Sequence, residues 1–149
     1  MGDNLKISIE EISRELEEEV LIRCHEIDEE IQEIVSKLKT EPAIVLGSQN
    51  DRVHRINLRD IYYFEAVDGK VFLYCKDNVF EVKQKLYELE EMCKEKDFFR
   101  ATKSTILNIA KISTVHPSFS GRFEAVLDNG ERAIISRQYV PVLKKMLGL

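Results

Sequence analysis

The stretch "IYYFEAVDGKVFLYC", residues 61–75, predicts two neighbouring strands and the turn that joins them. Both apolar runs are short and rich in β-branched and aromatic residues, which favour strands. The Asp68-Gly69 pair lies between them, and both residue types tolerate the positive φ angles of a two-residue hairpin turn. The stretch therefore predicts a β-hairpin with Lys70 beside its turn.

Short apolar segments continue this pattern on either side of the hairpin and predict further strands. They are "AIVLGS" (43–48), "RVHRINL" (52–58), "NVFEV" (78–82), "TILNI" (105–109), "ISTVH" (112–116), "RFEAVL" (122–127) and "RAIIS" (132–136). The pairs Ser120-Gly121 and Asn129-Gly130 are expected to turn the last two hairpins. This part of the chain is therefore expected to be a β-rich core.

Two helices are expected within this core. From about Lys83 to Lys94, apolar residues at helical spacing form a stripe on an otherwise charged segment. The last helix should start near Tyr139, because an α-helix accepts a proline such as Pro141 only in its first turn. Ser136 and Arg137 then fall in the strand-to-helix junction, where their side chains can project outwards.

Residues 1–52 are predicted to form a short α/β extension, and residues 53–149 are predicted to form the domain that follows it. The segments "LKISIEE" (5–11) and "EEEVLIRCHEI" (17–27) are expected to form strands. A helix is expected over residues 28–39, with Asp28 as its N-terminal cap. Its apolar stripe consists of Ile27, Ile31, Ile34, Val35 and Leu38. Such an extension is too small to fold well alone, so it should pack on the following domain or on a second copy, as a dimerisation or regulatory element.

Charge is distributed unevenly along the chain. The net charge of −5 divides into −8 over residues 1–41, −2 over 42–97 and +5 over 98–149. Screening confines an electrostatic field to about 8–10 Å, so a basic face can bind an anionic polymer although the whole chain is acidic. Solvated surface helices account well for the acidic residues over 1–41. Solvation alone accounts poorly for the excess of basic residues over 98–149.

The sequence predicts no catalytic site, metal site or cofactor. "ATKST" (101–105) resembles the end of a phosphate-binding loop but lacks the glycines that let backbone N–H groups close round a phosphate. The three histidines lie far apart, and no pair of carboxylates suggests acid–base catalysis. We therefore expect a protein that is not an enzyme.

The sequence also indicates a cytoplasmic location. No run of about 18 apolar residues is present, so no direct membrane insertion is expected, and the N-terminus does not resemble a signal peptide. Cys24, Cys75 and Cys93 are widely spaced and form no C-x-x-C motif, which is typical of reduced thiols.

Three collinear motifs resemble the LytTR DNA-binding domain of bacterial transcription regulators. They are "INLRDIYYFEAVDGKVFLYC" (56–75), "FFRATKSTILNIAKIS" (98–113) and "LDNGERAIISRQYVPVLKKML" (127–147). The resemblance covers about residues 53–147. It implies a mainly β fold of small, mostly antiparallel sheets with short helices, in which loops rather than a recognition helix enter successive major grooves.

The resemblance gives the second motif a role at DNA. Arg100 would reach a phosphate or a base, Lys103 a guanine edge, and Ser104 a phosphate. Thr102 departs from the family, which often has histidine there, but its hydroxyl or methyl group could still contact a base. Asn108 is expected to tie the turn back to the backbone.

The other two motifs supply the remaining candidates. Lys70 lies beside the hairpin turn, Arg137 matches the family's DNA-facing arginine, and Ser136 would touch a phosphate. For Arg100, Lys103 and Arg137 the alternative is surface ion pairing, although acidic residues are scarce after residue 97.

The resemblance implies a sequence-specific, double-stranded DNA-binding transcriptional regulator that binds paired direct repeats as a homodimer. The N-terminal extension is too short for a phosphoreceiver domain. The chain resembles instead the compact LytTR regulators often encoded beside a small membrane protein, which makes such a protein a candidate partner. One alternative is a protein-interaction module that has lost DNA binding. Another is single-stranded nucleic-acid binding through Tyr62 and Phe72, whose pattern favours burial instead.

Overall fold

The computed structural model describes residues 5–39 and 43–149, and the chain divides into two compact units, Met1–Glu41 and Pro42–Leu149. The strands of the larger sheet are β1 (Ile44–Gln49), β2 (Arg52–Asn57), β3 (Tyr63–Val67), β4 (Lys70–Tyr74), β5 (Val79–Val82), β6 (Phe98–Thr102) and β7 (Thr105–Asn108). They are antiparallel, in the order β2-β1-β5-β4-β3-β7-β6.

A smaller antiparallel sheet and short helices complete the described structure. Its strands are β8 (Ile112–Pro117), β9 (Phe123–Leu127) and β10 (Arg132–Ile135), in the order β10-β9-β8. The helices are α1 (Glu29–Lys39) in the first unit, and α2 (Leu86–Met92) and α3 (Val140–Leu147) in the second. The described helices are all too short and too polar to cross a membrane. The mainly β fold expected from the sequence is confirmed.

The β3–β4 hairpin forms as its sequence predicts. Tyr63 pairs with Tyr74 and Val67 with Lys70, which leaves Asp68 and Gly69 as the turn. Their φ angles are +51° and +80°, both in the left-handed region that aspartate tolerates and glycine adopts freely. Lys70 is therefore held next to the turn on a regular strand.

Strands β6 and β7 separate two hydrophobic cores. Phe98 and Ile106 enter the core that the larger sheet forms with α2, whereas Phe99 and Leu107 enter the core that the smaller sheet forms with α3. Neighbouring residues point to opposite faces of a strand, so an apolar pair can serve both cores at once. Burial of each large apolar side chain contributes about 1.5–3 kcal/mol. The β6–β7 hairpin is therefore fixed from both faces.

Two sequence expectations in this unit need adjustment. Residues 98–102 were not expected to form a strand of their own, because burial on both faces removes the alternating pattern that identifies a strand. Helix α2 is shorter than the predicted span from Lys83 to Lys94. Its N-cap is Lys85, and the chain after Cys93 turns through Glu95 and Asp97, both with positive φ. The final helix is confirmed, with Tyr139 as N-cap and Pro141 in its first turn.

The first unit has the predicted helix but not the predicted strands. The Asp28 carboxylate accepts a hydrogen bond from the Ile31 amide at 3.0 Å, so Asp28 caps α1 as expected. The strand predictions for 5–11 and 17–27 are wrong, because residues 5–28 pair with none of the described strands. An alternating segment becomes a strand only when a neighbouring strand satisfies its backbone groups.

The second unit begins before the boundary expected at residue 53. Strand β1 pairs with β2 along its whole length and also with β5 through Ser48 and Glu81. Residues 44–49 therefore complete the larger sheet of this unit.

Candidate nucleic-acid interface

The turn between β6 and β7 is held in one shape by short polar contacts. The Ser104 amide donates to the Thr102 hydroxyl at 3.1 Å, and the two hydroxyl oxygens lie 3.4 Å apart. The Ala66 amide of β3 donates to the Ser104 carbonyl at 2.9 Å. The hydroxyls that interrupt this apolar stretch therefore have a local structural use, and Lys103 is exposed at the tip of the turn.

Arg100 is the one predicted contact residue that the structure places in a short ion pair within the described residues. Its Nη2 lies 2.8 Å from Glu90 Oε1 of α2, and its Nη1 donates to the Lys103 carbonyl at 2.7 Å. The side chain is only 16% exposed. The ion-pairing alternative therefore applies to Arg100 in this structure.

Arg137 occupies a different environment, at the junction between β10 and α3. A methyl group on Gly121 would lie 2.9 Å from Arg137 Cδ and 3.1 Å from its Cγ, so the arginine stem crosses the bare glycine backbone. Among the residues the structure describes, neither Arg137 nor Lys103 has an ion-pair partner for its side chain. Both cations are exposed and available to an anion.

Arg137 also lines an open depression that the sequence analysis did not anticipate. The depression is lined by Ser120, Arg122, Ser136, Arg137 and Gln138. Ser120 and Arg122 are not among the predicted contact residues, because the Ser120-Gly121 pair predicts only a turn. The available signal was a serine and an arginine flanking a glycine, a combination that repeats the polar chemistry of the later Ser-Arg pair.

Backbone hydrogen bonds bring the predicted residues of these segments together. The Ser136 amide donates to the Ala101 carbonyl at 2.8 Å, which fixes the Ser136–Arg137 junction beside the end of β6. Strand β3 pairs with β7 through Glu65 and Thr105, so the β3–β4 turn lies next to the β6–β7 turn at the same end of the sheet. The three sequence motifs therefore converge on one edge of the second unit.

Lys70 completes this edge but has an acidic neighbour. Its Nζ lies 3.9 Å from Glu81 Oε1, and the two side chains are 63% and 47% exposed. Exposed ion pairs of this kind contribute little, because water and salt screen them. Lys70 can therefore exchange Glu81 for another anion at small cost.

Two further residues behave as structural parts of the domain. Asn108 is 2% exposed; its amide donates to the Ile61 carbonyl at 2.8 Å and its oxygen accepts from the Ala110 amide at 3.0 Å. Its predicted role in tying the turn back is confirmed. Tyr62 is 5% exposed and Phe72 is half-buried, so these rings do not form an exposed surface for stacking bases.

Comparisons with known proteins identify similar sequences and a similar fold. The sequence profile of the LytTr DNA-binding domain matches residues 51–148. Among solved structures, the LytTr DNA-binding domain of a methyl-accepting/DNA response regulator from Bacillus cereus has a TM-score of 0.68 and is 26% identical. That match covers 74% of this chain and 100% of the solved domain.

Curated relatives are named as sensory transduction proteins and, in one case, as a transcriptional regulator. The sensory transduction protein LytT of Bacillus cereus is 32% identical over 62% of this chain and 37% of its own length. LytT of Enterococcus faecalis is 28% identical over 74% of this chain and 45% of its own length, so the chain spans less than half of either relative. An uncharacterized HTH-type transcriptional regulator of Staphylococcus aureus is 23% identical over 97% of this chain and 99% of its own length.

The profile match spans most of the second unit, and the solved domain shares its fold. The convergent motifs lie within the same residues. The chain therefore belongs to the LytTR DNA-binding domain family.

Proposed function

We propose that the protein regulates transcription by binding double-stranded DNA sequence-specifically, with turns rather than a helix entering the major groove. The observation that carries this proposal is the pair of exposed cations, Lys103 and Arg137, on two turns that the Ser136–Ala101 hydrogen bond holds side by side. Family membership supplies the class of ligand, and the excess of basic residues after residue 97 suits a polyanion.

The polar side chains of this edge would then have separate tasks. Lys103 and Arg137 are long cations that can meet the acceptors of a guanine, O6 and N7, from the major groove. Ser104 and Ser136 have short hydroxyl side chains suited to donating to backbone phosphates. Lys70, on the neighbouring hairpin, would meet a phosphate farther along the duplex.

Selection from a random duplex library, followed by fluorescence anisotropy on the selected site, tests the function. We expect Lys103→Ala and Arg137→Ala each to weaken specific binding by about 1–3 kcal/mol, the contribution of a good base contact. Lys76→Ala is the matched control, because Lys76 is exposed in the turn at the opposite end of β4 from Lys70. Thermal melting should show that all three variants remain folded.

The salt dependence of the same binding provides a second measurement. With about four phosphate contacts per protomer, log K should fall against log salt with a slope of roughly −3 to −4. A flat response, together with unchanged affinity in Lys103→Ala and Arg137→Ala, would reject DNA recognition by this edge. It would favour a domain that binds another protein instead.

We also propose that the first unit carries assembly, with two protomers on paired direct repeats. The charge of −8 over residues 1–41 would repel phosphate, so this unit is unsuited to lie on the duplex. Its helix α1 buries Ile31 to 5% exposure but leaves Leu38 56% exposed, and Ile27, just before the helix, is 72% exposed. An apolar stripe that is exposed in one chain gains free energy when a second copy covers it.

A fragment of residues 43–149 should still bind a single half-site but lose cooperative binding to the paired site. In the full chain, Ile31→Asp combined with Ile34→Asp should have the same effect. Light scattering and thermal melting of this double variant decide the matter. A double variant that is folded and still dimeric would contradict the assembly role. An unfolded monomer would also contradict it, because it would mean that the stripe packs within its own chain, where Ile31 is already buried.

We propose finally that the protein acts in the cytoplasm under the control of a small membrane protein. The support is the resemblance to compact LytTR regulators and the naming of the LytT relatives as sensory transduction proteins. Co-purification of the tagged regulator with a small membrane protein encoded beside it, where the genome has one, tests the partnership. Failure to co-purify from detergent extracts, with both proteins expressed, would count against it.

A further inference from the structure

Arg100 differs from the other cations of the DNA-binding edge because both ends of its guanidinium are already engaged. Nη2 pairs with Glu90 Oε1 at 2.8 Å, and Nη1 donates to the Lys103 carbonyl at 2.7 Å. The third nitrogen, Nε, is buried without a hydrogen-bond partner among the described residues. A side chain that is 84% enclosed by protein is poorly placed to reach out to a phosphate.

The bonds of Arg100 join three parts of the second unit. They link β6, which carries Arg100, to helix α2 through Glu90 and to the tip of the β6–β7 turn through Lys103. Charge-assisted hydrogen bonds are about twice as strong as neutral ones, and an arginine holds two acceptors in a fixed geometry. The carbonyl that Arg100 holds belongs to the same residue whose side chain is proposed to read a base.

We propose that Arg100 is a positioning residue and that Glu90 holds it in place. Arg100 fixes the backbone of the turn, so that the Lys103 side chain leaves it in the direction of its base edge. This inference rests on the proposed DNA-binding function, and it concerns only how the reading side chain is oriented. Binding groups give affinity and specificity when surrounding residues hold them close to the productive geometry.

The two roles for Arg100 make opposite predictions for Glu90→Ala. If Arg100 contacted DNA, removal of Glu90 would free the arginine and remove an acidic competitor for phosphate, so specific binding would strengthen. If Arg100 positions the turn, the same change loosens Lys103, so specific binding should weaken by roughly tenfold, a part of the value of one base contact. Alanine suits the exposed surface of α2, so this variant should remain folded.

Glu91→Ala is the matched control. Glu91 is the exposed neighbour of Glu90 on the same helix, so its removal changes the charge of α2 equally without touching Arg100. We expect Glu90→Ala to bind the specific duplex roughly tenfold more weakly than Glu91→Ala, with both variants binding a scrambled duplex equally. Tighter or equal specific binding by Glu90→Ala would overturn the inference.

Two further readouts distinguish positioning from general loss of structure. In a Lys103→Ala background the effect of Glu90→Ala should vanish, because the residue being oriented is no longer present. The slope of log K against log salt should stay unchanged in Glu90→Ala and in Arg100→Ala, whereas loss of a phosphate contact would reduce it by about 0.9. A reduced slope in Arg100→Ala would restore Arg100 to the contact residues and overturn the proposal.

The outcomes separate this inference from the proposed function. If the wild-type chain shows no preference for any duplex, or if Lys103→Ala binds like wild type, the reading role of Lys103 fails and the inference fails with it. If both of those tests succeed and Glu90→Ala matches Glu91→Ala, only the positioning role of Arg100 fails.

Discussion

The two units of the chain contain similar apolar patterns but bury them very differently. In the first unit, Ile7 and Ile9 of an alternating segment are 92% and 91% exposed. In the second, Phe64 and Leu73, on paired strands, are completely buried. Strands of the second unit satisfy one another's backbone groups and close over two cores. An apolar period therefore becomes buried structure only where the rest of the chain supplies both a hydrogen-bonding edge and an apolar face.

The difference in burial between the two units should be clearest in their stability. We expect Phe64→Ala to lower the free energy of unfolding of the second unit by about 3–5 kcal/mol, because it leaves a cavity in the core between the larger sheet and α2. Ile9→Ala in the first unit should change the same quantity by less than about 0.5 kcal/mol, as exposed positions do. Urea denaturation followed by circular dichroism measures both. A cost for Ile9→Ala that approaches that of Phe64→Ala would show that the first unit is buried against an apolar surface.

Features that depend on neighbouring residues could be predicted from the sequence. The Asp68-Gly69 turn, the Asp28 cap of α1 and the first-turn position of Pro141 each follow from the chemistry of a few adjacent residues. The convergence of the β3–β4 hairpin and the Ser136–Arg137 junction on the β6–β7 turn followed only from the family resemblance. Backbone hydrogen bonds from Ala66 and Ser136 are its physical basis.

Features that depend on residues distant in the sequence could not be predicted, because they require knowledge of how the strands and helices pack. The pairing of Arg100 with Glu90 crosses from a strand to a helix, and Arg137 lies over Gly121 from another segment. A sequence shows that arginines are present, but their partners depend on how the strands and helices pack. The alternating segment over residues 5–11 shows the opposite error, a predicted strand that does not form. Its alternating pattern lies in adjacent residues, but a strand also needs a partner strand, which the pattern does not supply.

Alkaline pH should lower the stability of the second unit by a smaller amount. Cys93 is 1% exposed, and burial raises the pKa of its thiol from 9.0 to about 11, although nearby Lys96 partly offsets this. In the unfolded chain the thiol loses its proton near its ordinary pKa. Between the two values the folded state binds more protons, so the free energy of unfolding falls as pH rises, by on the order of 2 kcal/mol at pH 11.

Single cysteine variants isolate this contribution. Cys93→Ala should flatten the alkaline decline in stability, measured by urea denaturation from about pH 8 to about pH 11, a range that spans the ordinary and the raised pKa of the thiol. Cys24→Ala should leave the decline unchanged, since Cys24 is exposed in the first unit. Burial also raises the pKa of Tyr63 and Tyr74, and this background remains in both variants. An identical decline in the Cys93 variant would show that its thiol is not shielded from water.

The smallest effect concerns two glycines within the second unit, and it separates stability from binding. Gly121 and Gly130 both have positive φ, +77° and +89°, so Gly121→Ala and Gly130→Ala should each cost about 1–2 kcal/mol of backbone strain. Only Gly121 has a side chain in the way: a Cβ there would meet the stem of Arg137 at 2.9 Å, whereas a Cβ on Gly130 would meet nothing within 4 Å. Gly130 also lies at the other end of β9 and β10 from Arg137.

We therefore expect equal losses of stability but unequal losses of DNA affinity. Gly121→Ala must displace the arginine stem by a few tenths of an ångström or more, which should weaken specific binding by about 1 kcal/mol, the low end of the value of a base contact. Gly130→Ala should bind like wild type once both proteins are held well below their melting temperatures. Anisotropy on the selected duplex gives the affinities, and thermal melting gives the stabilities. The effect of Gly121→Ala should disappear when Arg137 is already replaced by alanine. A further loss of affinity in that double variant would show that Gly121 does not affect DNA binding by positioning Arg137.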